Sequence, residues 1–188
     1  MTTFTIHTTE TAPEASRPFL ENAQRKFGMV PNLIGLFAES PVAVETYQTL
    51  AGLFTKTSFT PTERNIVWLA TSYDNECHYC MAAHTAIAKG EKVSDDIIDA
   101  LRAGTPLEDP RLETLRTFTA SVVVNRGRVS DDQVEAFLGA GFTKENILEV
   151  LVGVVHKTLS NYANHIAETP VDAPFQKFAW TPSPANVS

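Results

Sequence analysis

Signals that start α-helices recur along this chain, and they constrain its fold more than any other feature. Thr60-Pro61-Thr62-Glu63 combines a hydroxyl cap, a proline at the first helical position and a glutamate three residues after the cap, which is the pattern of a capping box. Three later helix starts share a second sequence pattern, the hydrophobic staple. In this pattern one apolar residue directly precedes a hydroxyl cap, and a second apolar residue lies four residues after the cap. These pairs are Val93 and Ile98, Val129 and Val134, and Phe142 and Ile147.

The fold class follows from these signals and from the lack of strand patterns. No segment of the sequence shows a convincing alternation of apolar and polar residues, so we predict an all-α fold of about eight helices. The 188 residues are enough for one sizeable core, and we expect a helical domain over residues 15–169 after an arm over residues 1–14. The tail over residues 170–188 holds four prolines and three aromatic residues. We expect this tail to pack on the body or on a neighbouring chain.

The two cysteines of the chain, Cys77 and Cys80, are separated by two residues, and His84 follows four residues later. We expect Asp74 or Asn75 to cap a helix that starts just before Cys77. At about 100° per residue, the two thiols and the imidazole then share an arc of about 60° on one helix face. The positive end of the helix favours the thiolate form of a cysteine. Two thiols and a nearby base are the components of a dithiol redox site.

Other interpretations of the cysteine pair remain open. Cys77, Cys80 and His84 or His78 provide at most part of the ligand set that a zinc ion requires. The cysteines are alternatively inert core residues, since free cysteine is often buried. We favour the redox interpretation and expect no metal. The nine glycines are scattered and form no phosphate-binding motif, so we expect no bound cofactor.

The spacing Cys77-x-x-Cys80-x-x-x-His84 resembles that of the alkylhydroperoxidase D (AhpD) family, within the carboxymuconolactone decarboxylase-like superfamily. The stretch from Thr60 to His84 is similar to the peroxidase-related branch of that family, and so is the stretch Lys157–His165. The resemblance covers roughly residues 15–180. It implies an AhpD-like helical bundle that assembles as trimers, hexamers or dimers.

The resemblance also implies an activity and assigns roles to the thiols. An AhpD-like protein reduces hydroperoxides through a redox dithiol and is recycled by an external dithiol or protein reductant. In the family, the second cysteine attacks the peroxide and the first resolves the sulfenic acid, so Cys80 attacks and Cys77 resolves. The position of His84, one turn beyond Cys80, supports this choice and makes His84 the nearest base.

One position departs from the family pattern. The family uses a glutamate, usually twelve residues before the first cysteine, as a proton relay, and this chain has Asn65 there. An amide does not transfer protons as a carboxylate does. We therefore regard Glu76 and Glu63 as possible relays, although Glu63 also fits the capping box and Glu76 would suit a first helical turn. Alternatively, Asn65 holds a water molecule that relays the proton.

The last predicted helix, over about residues 144–167, carries polar residues on a stripe that is otherwise mostly apolar. Asn161 and His165 are predicted to share this stripe and to form a buried hydrogen-bonded pair, to lie at a subunit contact, or to line the thiol pocket. His156 falls on the opposite face, where we expect it to be solvated. His78 either tunes the thiols or faces solvent. The stripe itself consists of Ile147, Leu151, Val154 and Thr158.

Charge and processing signals restrict the remaining function classes. The net charge of −7 argues against nucleic acid or an anionic membrane as a partner. The sequence shows no signal peptide, so we expect a cytoplasmic protein, in which a Cys-x-x-Cys pair is more often catalytic than structural. Two rival functions are a carboxymuconolactone decarboxylase-type lyase and a thiol redox sensor without turnover. The cysteine pair argues against the lyase.

Overall fold

The computed structural model describes residues 4–181, so residues 1–3 of the predicted arm and 182–188 of the predicted tail lie outside it. Within the described range it contains nine α-helices and no strand, and eight of the helices have nine or more residues. The predicted all-α class with about eight helices is therefore confirmed. The helices are α1 (Arg17–Phe27), α2 (Asn32–Phe37), α3 (Pro41–Phe54), α4 (Pro61–Asp74), α5 (His78–Gly90), α6 (Asp95–Ala103), α7 (Pro110–Val124), α8 (Asp131–Gly139) and α9 (Lys144–Ala167).

The predicted helix starts are formed largely as expected. Thr60 makes a capping box with Glu63 at the start of α4, and Thr143 makes the corresponding box at the start of α9. One predicted cap is wrong. Neither Asp74 nor Asn75 caps the cysteine helix, because α4 continues through Asp74 and Cys77 itself is the N-cap of α5.

Helix α4 is central, and it packs against α5, α7 and α9. A large apolar cluster that includes Phe54 and Trp68 lies between α4 and the helices around it. A second cluster lies beneath α1, α2 and α3, and it includes Leu33 together with Cys77 and Cys80. The two thiols are thus part of the apolar interior.

The C-terminal segment over residues 170–181, which we call the strap, lies across α5. A short 3-10 turn occupies Ala173–Phe178. Trp180 Nε1 donates a hydrogen bond of 2.7 Å to the carbonyl of Arg102. The Arg102 guanidinium donates in return to the carbonyls of Phe178 and Ala179, at 3.1 and 3.0 Å. The described part of the aromatic tail therefore packs on the body of the same chain.

Gly153 permits the close crossing of α9 over α3 and α4. A Cβ atom at this position would lie 2.6 Å from Cζ of Phe54 and 2.7 Å from Cγ1 of Val67. Both neighbours are fully buried, so neither side chain has room to move. The approach of α9 that brings its polar residues to the thiols therefore depends on a residue without a side chain.

We expect Gly153→Ala to lower the free energy of unfolding by about 1–3 kcal/mol, the usual effect of overpacking a core. Gly52→Ala is the matched control, since an added Cβ there meets nothing within 4 Å and alanine favours a helix by up to about 1 kcal/mol over glycine. Urea unfolding of the two variants measures the difference. Equal stability of Gly153→Ala and the unmodified chain would show that the packing of α9 against Phe54 and Val67 does not require a glycine at position 153.

The outer face of α9 is apolar and exposed. Its exposed apolar side chains recur every three to seven residues, which places them on one side of the helix. They are Leu148, Leu151, Val155, Tyr162 and Ile166. None of the helices in the described part of the chain is long and apolar enough to cross a membrane.

We propose that this outer face of α9 is the contact between copies of a homo-oligomer, since a contiguous apolar surface of this kind is typical of protein interfaces. Light scattering of the unmodified chain should give a mass above 20.6 kDa. Val155→Asp should shift the protein toward monomer, whereas Val124→Asp, at an exposed apolar residue of α7, should not. A monomer for the unmodified chain at micromolar concentration would contradict this prediction.

Candidate active site

The turn between α4 and α5 positions the two thiols. Glu76 adopts a left-handed conformation with φ of 51°, and this reverses the chain so that Cys77 begins the next helix. The backbone N–H of Cys80 donates to Sγ of Cys77 at 3.4 Å. Cys77 is thus the cap and Cys80 the third residue of α5, with exposed fractions of 0% and 1%. The thiols lie one turn apart, as predicted, at the positive end of a helix.

Helix α9 provides hydrogen-bonding partners for both sulfur atoms. Asn164 Nδ2 donates to Sγ of Cys80 at 3.3 Å and to Sγ of Cys77 at 3.7 Å. Ser160 Oγ lies 3.6 Å from Sγ of Cys80. The Asn164 amide favours the ionised form of the second sulfur, because it donates a hydrogen bond that a thiolate accepts.

A lysine lies fully buried beside this pair. Lys157 is 0% exposed, and its Nζ lies 2.8 Å from Nε2 of His84. Burial lowers the pKa of Lys157, but the negative charges that Cys80 and Tyr47 can carry outweigh it and raise that pKa. Burial and the Lys157 charge hold the pKa of His84 well below its ordinary value. The neutral imidazole therefore accepts a hydrogen bond from the ammonium group.

The pKa values of the two thiols move in opposite directions. Burial raises the pKa of Cys80, but a hydrogen bond from the Cys77 thiol, the Lys157 charge and Ser160 outweigh it and lower the pKa to about 5. The pKa of Cys77 is raised, first because its thiol donates to Cys80 and second because it is buried. At neutral pH the site therefore holds a Cys80 thiolate, a Cys77 thiol and a Lys157 ammonium ion.

A cavity of about 320 Å³ leads to this group. Its polar part consists of Cys80, His84 and Lys157. Most of the remaining wall is apolar or aromatic and comes from α1, α2, α3, α5 and the strap. The aromatic members are Phe27, Tyr47, Tyr79 and Phe175.

Within the described residues, none of the predicted proton-transfer residues makes a hydrogen bond to either sulfur atom. The hydrogen bond of His84 goes to Lys157 rather than to either sulfur atom. Glu63 is held by the cap of α4 and by an ion pair with Arg111. Burial raises the pKa of Glu63, but the Thr60 and Arg111 hydrogen bonds outweigh it and lower that pKa. Glu76 is exposed on the reversing turn.

Asn65, at the position of the family's relay glutamate, is fully buried on α4. Its Nδ2 donates to Oε2 of Glu91 at 2.7 Å and to the carbonyl of Pro61 at 2.9 Å. Its Oδ1 is buried and has no protein partner within the described residues. The amide thus links α4 to the end of the cysteine helix.

The other predicted pocket or interface residues occupy different environments. Asn161 is buried, and its Oδ1 accepts from Asn75 at 3.0 Å, which ties α9 to the turn before the thiols. His165 is exposed and stacks near Tyr162. Nδ1 of His78 lies 2.8 Å from the carbonyl of Trp180, so this residue contacts the strap.

The stripe of α9 that was predicted to face the interior lies one residue C-terminal to the stripe that is buried. The buried positions form the adjacent stripe, and its members are Asn146, Val150, Gly153, His156, Lys157, Ser160, Asn161 and Asn164. His156, expected to be solvated, is 2% exposed and stacks on Tyr47. Sequence reasoning therefore missed Lys157, Ser160 and Asn164. Their spacing of three, four and seven residues is the signal that could have identified them.

Within residues 4–181, no group of three or more histidine, cysteine, aspartate or glutamate side chains is arranged to hold a metal ion. The strongest neighbour of the thiols is instead a lysine, which does not share a cation site because it is itself positive.

Comparison with known proteins agrees with the predicted resemblance. Residues 45–112 match the family model described as "Carboxymuconolactone decarboxylase family". This segment runs from α3 to the start of α7 and includes both cysteines. No match was found among curated proteins.

Solved structures share the fold over nearly the whole chain. An AhpD core, an uncharacterized peroxidase-related protein from Ralstonia eutropha JMP134, has a TM-score of 0.82 and 24% identity over 92% of this chain and 93% of its own. A peroxidase-related protein from Silicibacter sp. TM1040 has a TM-score of 0.76 and 19% identity over 87% of each chain. A cysteine-to-alanine variant of the debrominase Bmp8, in complex with 2,3,4-tribromopyrrole, has a TM-score of 0.79 and 14% identity over 95% and 96%.

These similarities define a family segment and a fold. Residues 45–112 match the carboxymuconolactone decarboxylase family model, and the chain shares its fold with the AhpD-core structure.

The charge of Lys157 should control the ionisation of Cys80. Because the pKa of Cys80 is lowered to about 5, the thiolate should be present above that pH and lost below it. Lys157→Met should raise the midpoint of the thiolate titration above that of the unmodified protein, since burial then acts without an opposing cation. Thiolate ultraviolet absorbance measured against pH gives both midpoints.

Lys177→Met is the control for this titration, because Lys177 is an exposed lysine on the strap. Its thiolate midpoint should equal that of the unmodified protein. An unchanged midpoint in Lys157→Met would show that the buried ammonium does not set the charge of the thiol.

Proposed function

We propose that this protein reduces hydroperoxides with the Cys77 and Cys80 dithiol, and that an external dithiol or protein reductant restores the pair. The supporting observation is the pairing of a Cys80 thiolate with a buried Lys157 ammonium at an apolar cavity, with a second thiol one helical turn away. A lowered pKa and a resolving thiol are the two requirements of a reactive redox cysteine.

In the first step, the Cys80 thiolate attacks the terminal oxygen of the hydroperoxide. The O–O bond breaks, Cys80 becomes a sulfenic acid, and the remaining fragment leaves as an alkoxide. Lys157 is the cation in the cavity wall beside Cys80, so it stabilises the developing charge and supplies the proton that gives the alcohol. His84 accepts a hydrogen bond from Lys157 and so orients the ammonium group.

In the second step, the sulfur of Cys77 attacks the sulfur of Cys80. The S–O bond breaks, the S–S bond forms, and the hydroxyl leaves as water with the proton of the Cys77 thiol. Lys157, neutral after the first step, is the base that accepts this proton and passes it on. Asn164 contacts both sulfur atoms and holds them together for the condensation. The two electrons that reduce the peroxide come from the dithiol.

Reductive dehalogenation of a small aromatic molecule is a second candidate. The debrominase Bmp8 shares this fold, and the cavity here is apolar, rich in aromatic side chains and adjacent to a cation. The Cys80 thiolate would take the halogen from carbon, Lys157 would protonate the ring carbon, and Cys77 would displace halide to form the disulfide. Halide release from 2,3,4-tribromopyrrole tests this candidate directly.

The two cysteines should behave differently when they are replaced singly. With a hydroperoxide present, Cys77→Ser should accumulate a sulfenic acid at Cys80, because no thiol remains to resolve it. Cys80→Ser should form no comparable adduct at Cys77, because Cys77 is fully buried and burial raises the pKa of its thiol. Mass spectrometry after dimedone labelling detects the adducts. Peroxide consumption with a dithiol reductant should continue only in the unmodified protein.

Lys157→Met should lower kcat for peroxide by about 10²–10³-fold, the effect of removing one donor to a developing oxyanion.

Equal labelling of both single-cysteine variants would contradict the assignment of attack to Cys80. A single oxidation without further turnover, in the presence of several dithiol reductants, would favour a redox sensor instead.

A further inference from the structure

The strap is fixed to the cysteine helix by a buried carboxylate. Asp172 is 5% exposed, and its Oδ2 accepts from the Tyr79 hydroxyl at 2.5 Å. Its Oδ1 accepts from the backbone N–H of Asn32, at the start of α2, at 2.9 Å. The strap is therefore attached on both sides of the cavity, to α5 and to α2, and Tyr79 itself lines that cavity.

The other end of the strap is fixed independently. The hydrogen bonds between Arg102 and the strap hold residues 178–180 against α6. The carbonyl of Trp180 lies against His78 of the Cys-x-x-Cys segment. The 3-10 turn Ala173–Phe178 therefore lies between two anchors, and its position over α5 is set by the fold.

This anchored turn provides a wall of the thiol cavity. Pro174 and Phe175 line the cavity, and Phe175 packs on the apolar cluster that contains both cysteines. Phe178, on the same turn, is not among the residues that line the cavity. One of the two phenylalanines of the turn thus faces the site, and the other belongs to the anchored end.

We infer that Phe175 is a specificity-determining residue that selects apolar organic hydroperoxides, aryl-substituted ones in particular, over hydrogen peroxide. The inference rests on the proposed peroxide reduction for its substrate class. Phe27, Tyr47 and Phe175 line the same cavity as Cys80, and their rings would bury an apolar group of a substrate whose oxygen reacts there. The cavity of about 320 Å³ is at the small end of the usual range of about 300–1,000 Å³ for small-molecule sites.

Hydrogen peroxide would gain no binding free energy from the aromatic wall of the cavity, because it has no apolar surface to bury. An aryl hydroperoxide would gain the free energy of removing its ring from water, together with a ring contact. Discrimination by apolar burial grows with the group that is buried. The wall should therefore affect the two substrates unequally.

The test compares cumene hydroperoxide with hydrogen peroxide in the full-length protein. Phe175→Ala should lower kcat/KM for cumene hydroperoxide about tenfold or more, and that for hydrogen peroxide by about twofold or less. Phe175→Leu should recover part of the loss, because it restores an apolar contact. Phe178→Ala is the matched control on the same turn and should leave the ratio of the two kcat/KM values unchanged.

A second measurement does not depend on turnover. Calorimetric titration with cumyl alcohol, the product of cumene hydroperoxide, should give a Kd that is weaker by about tenfold in Phe175→Ala and unchanged in Phe178→Ala. If the unmodified protein reduces neither peroxide, the proposed function fails, and this titration still decides the role of Phe175. Parallel losses for both peroxides, equal effects of Phe175→Ala and Phe178→Ala, or no binding of cumyl alcohol would each overturn the inference.

Discussion

The buried ammonium group of Lys157 is the interaction on which the rest of the site depends. Removing a charge from water costs several kcal/mol even after relaxation, so a fully buried lysine needs partners in the interior. Here the Cys80 thiolate provides the opposite charge and His84 provides an acceptor at 2.8 Å. Both partners are on α5, whereas the lysine is on α9. The charge pair therefore links α5 to α9 and also stabilises the thiolate form of Cys80.

The packing around this pair explains how a buried charge pair forms a reactive site. Gly153 lets α9 approach α4 closely enough for its polar side chains to reach the sulfur atoms. The strap and α2 surround the cavity with apolar groups, and electrostatic interactions strengthen where water is excluded. The same apolar wall that strengthens the thiolate–ammonium pair also gives an organic substrate a surface to contact. Reactivity and substrate preference thus arise from one feature of the fold.

Local signals in the sequence were sufficient for the helices and for the thiol pair. Caps and staples act within about four residues of a helix end, so Thr60 and the hydroxyl cap at Thr143 marked their helix starts correctly. The spacing of Cys77 and Cys80 likewise placed the thiols one turn apart. The cap of α5 was misassigned because Cys77 caps its own helix with its sulfur atom, a role that is usually taken by oxygen side chains.

The sequence by itself determined an all-α chain with two thiols at the start of one helix, because those features depend on neighbouring residues. It did not determine which face of α9 is buried, because α9 is apolar on its outer face as well, at Leu148, Val155 and Ile166. Hydrophobic periodicity therefore favoured a stripe displaced by one residue from the true one. Only the tertiary structure decided that Lys157 and Asn164 meet the site, since their partners are 73 to 87 residues away along the chain. The ionisation of Cys80 is set by those distant contacts, so it could not be read from the Cys-x-x-Cys motif alone.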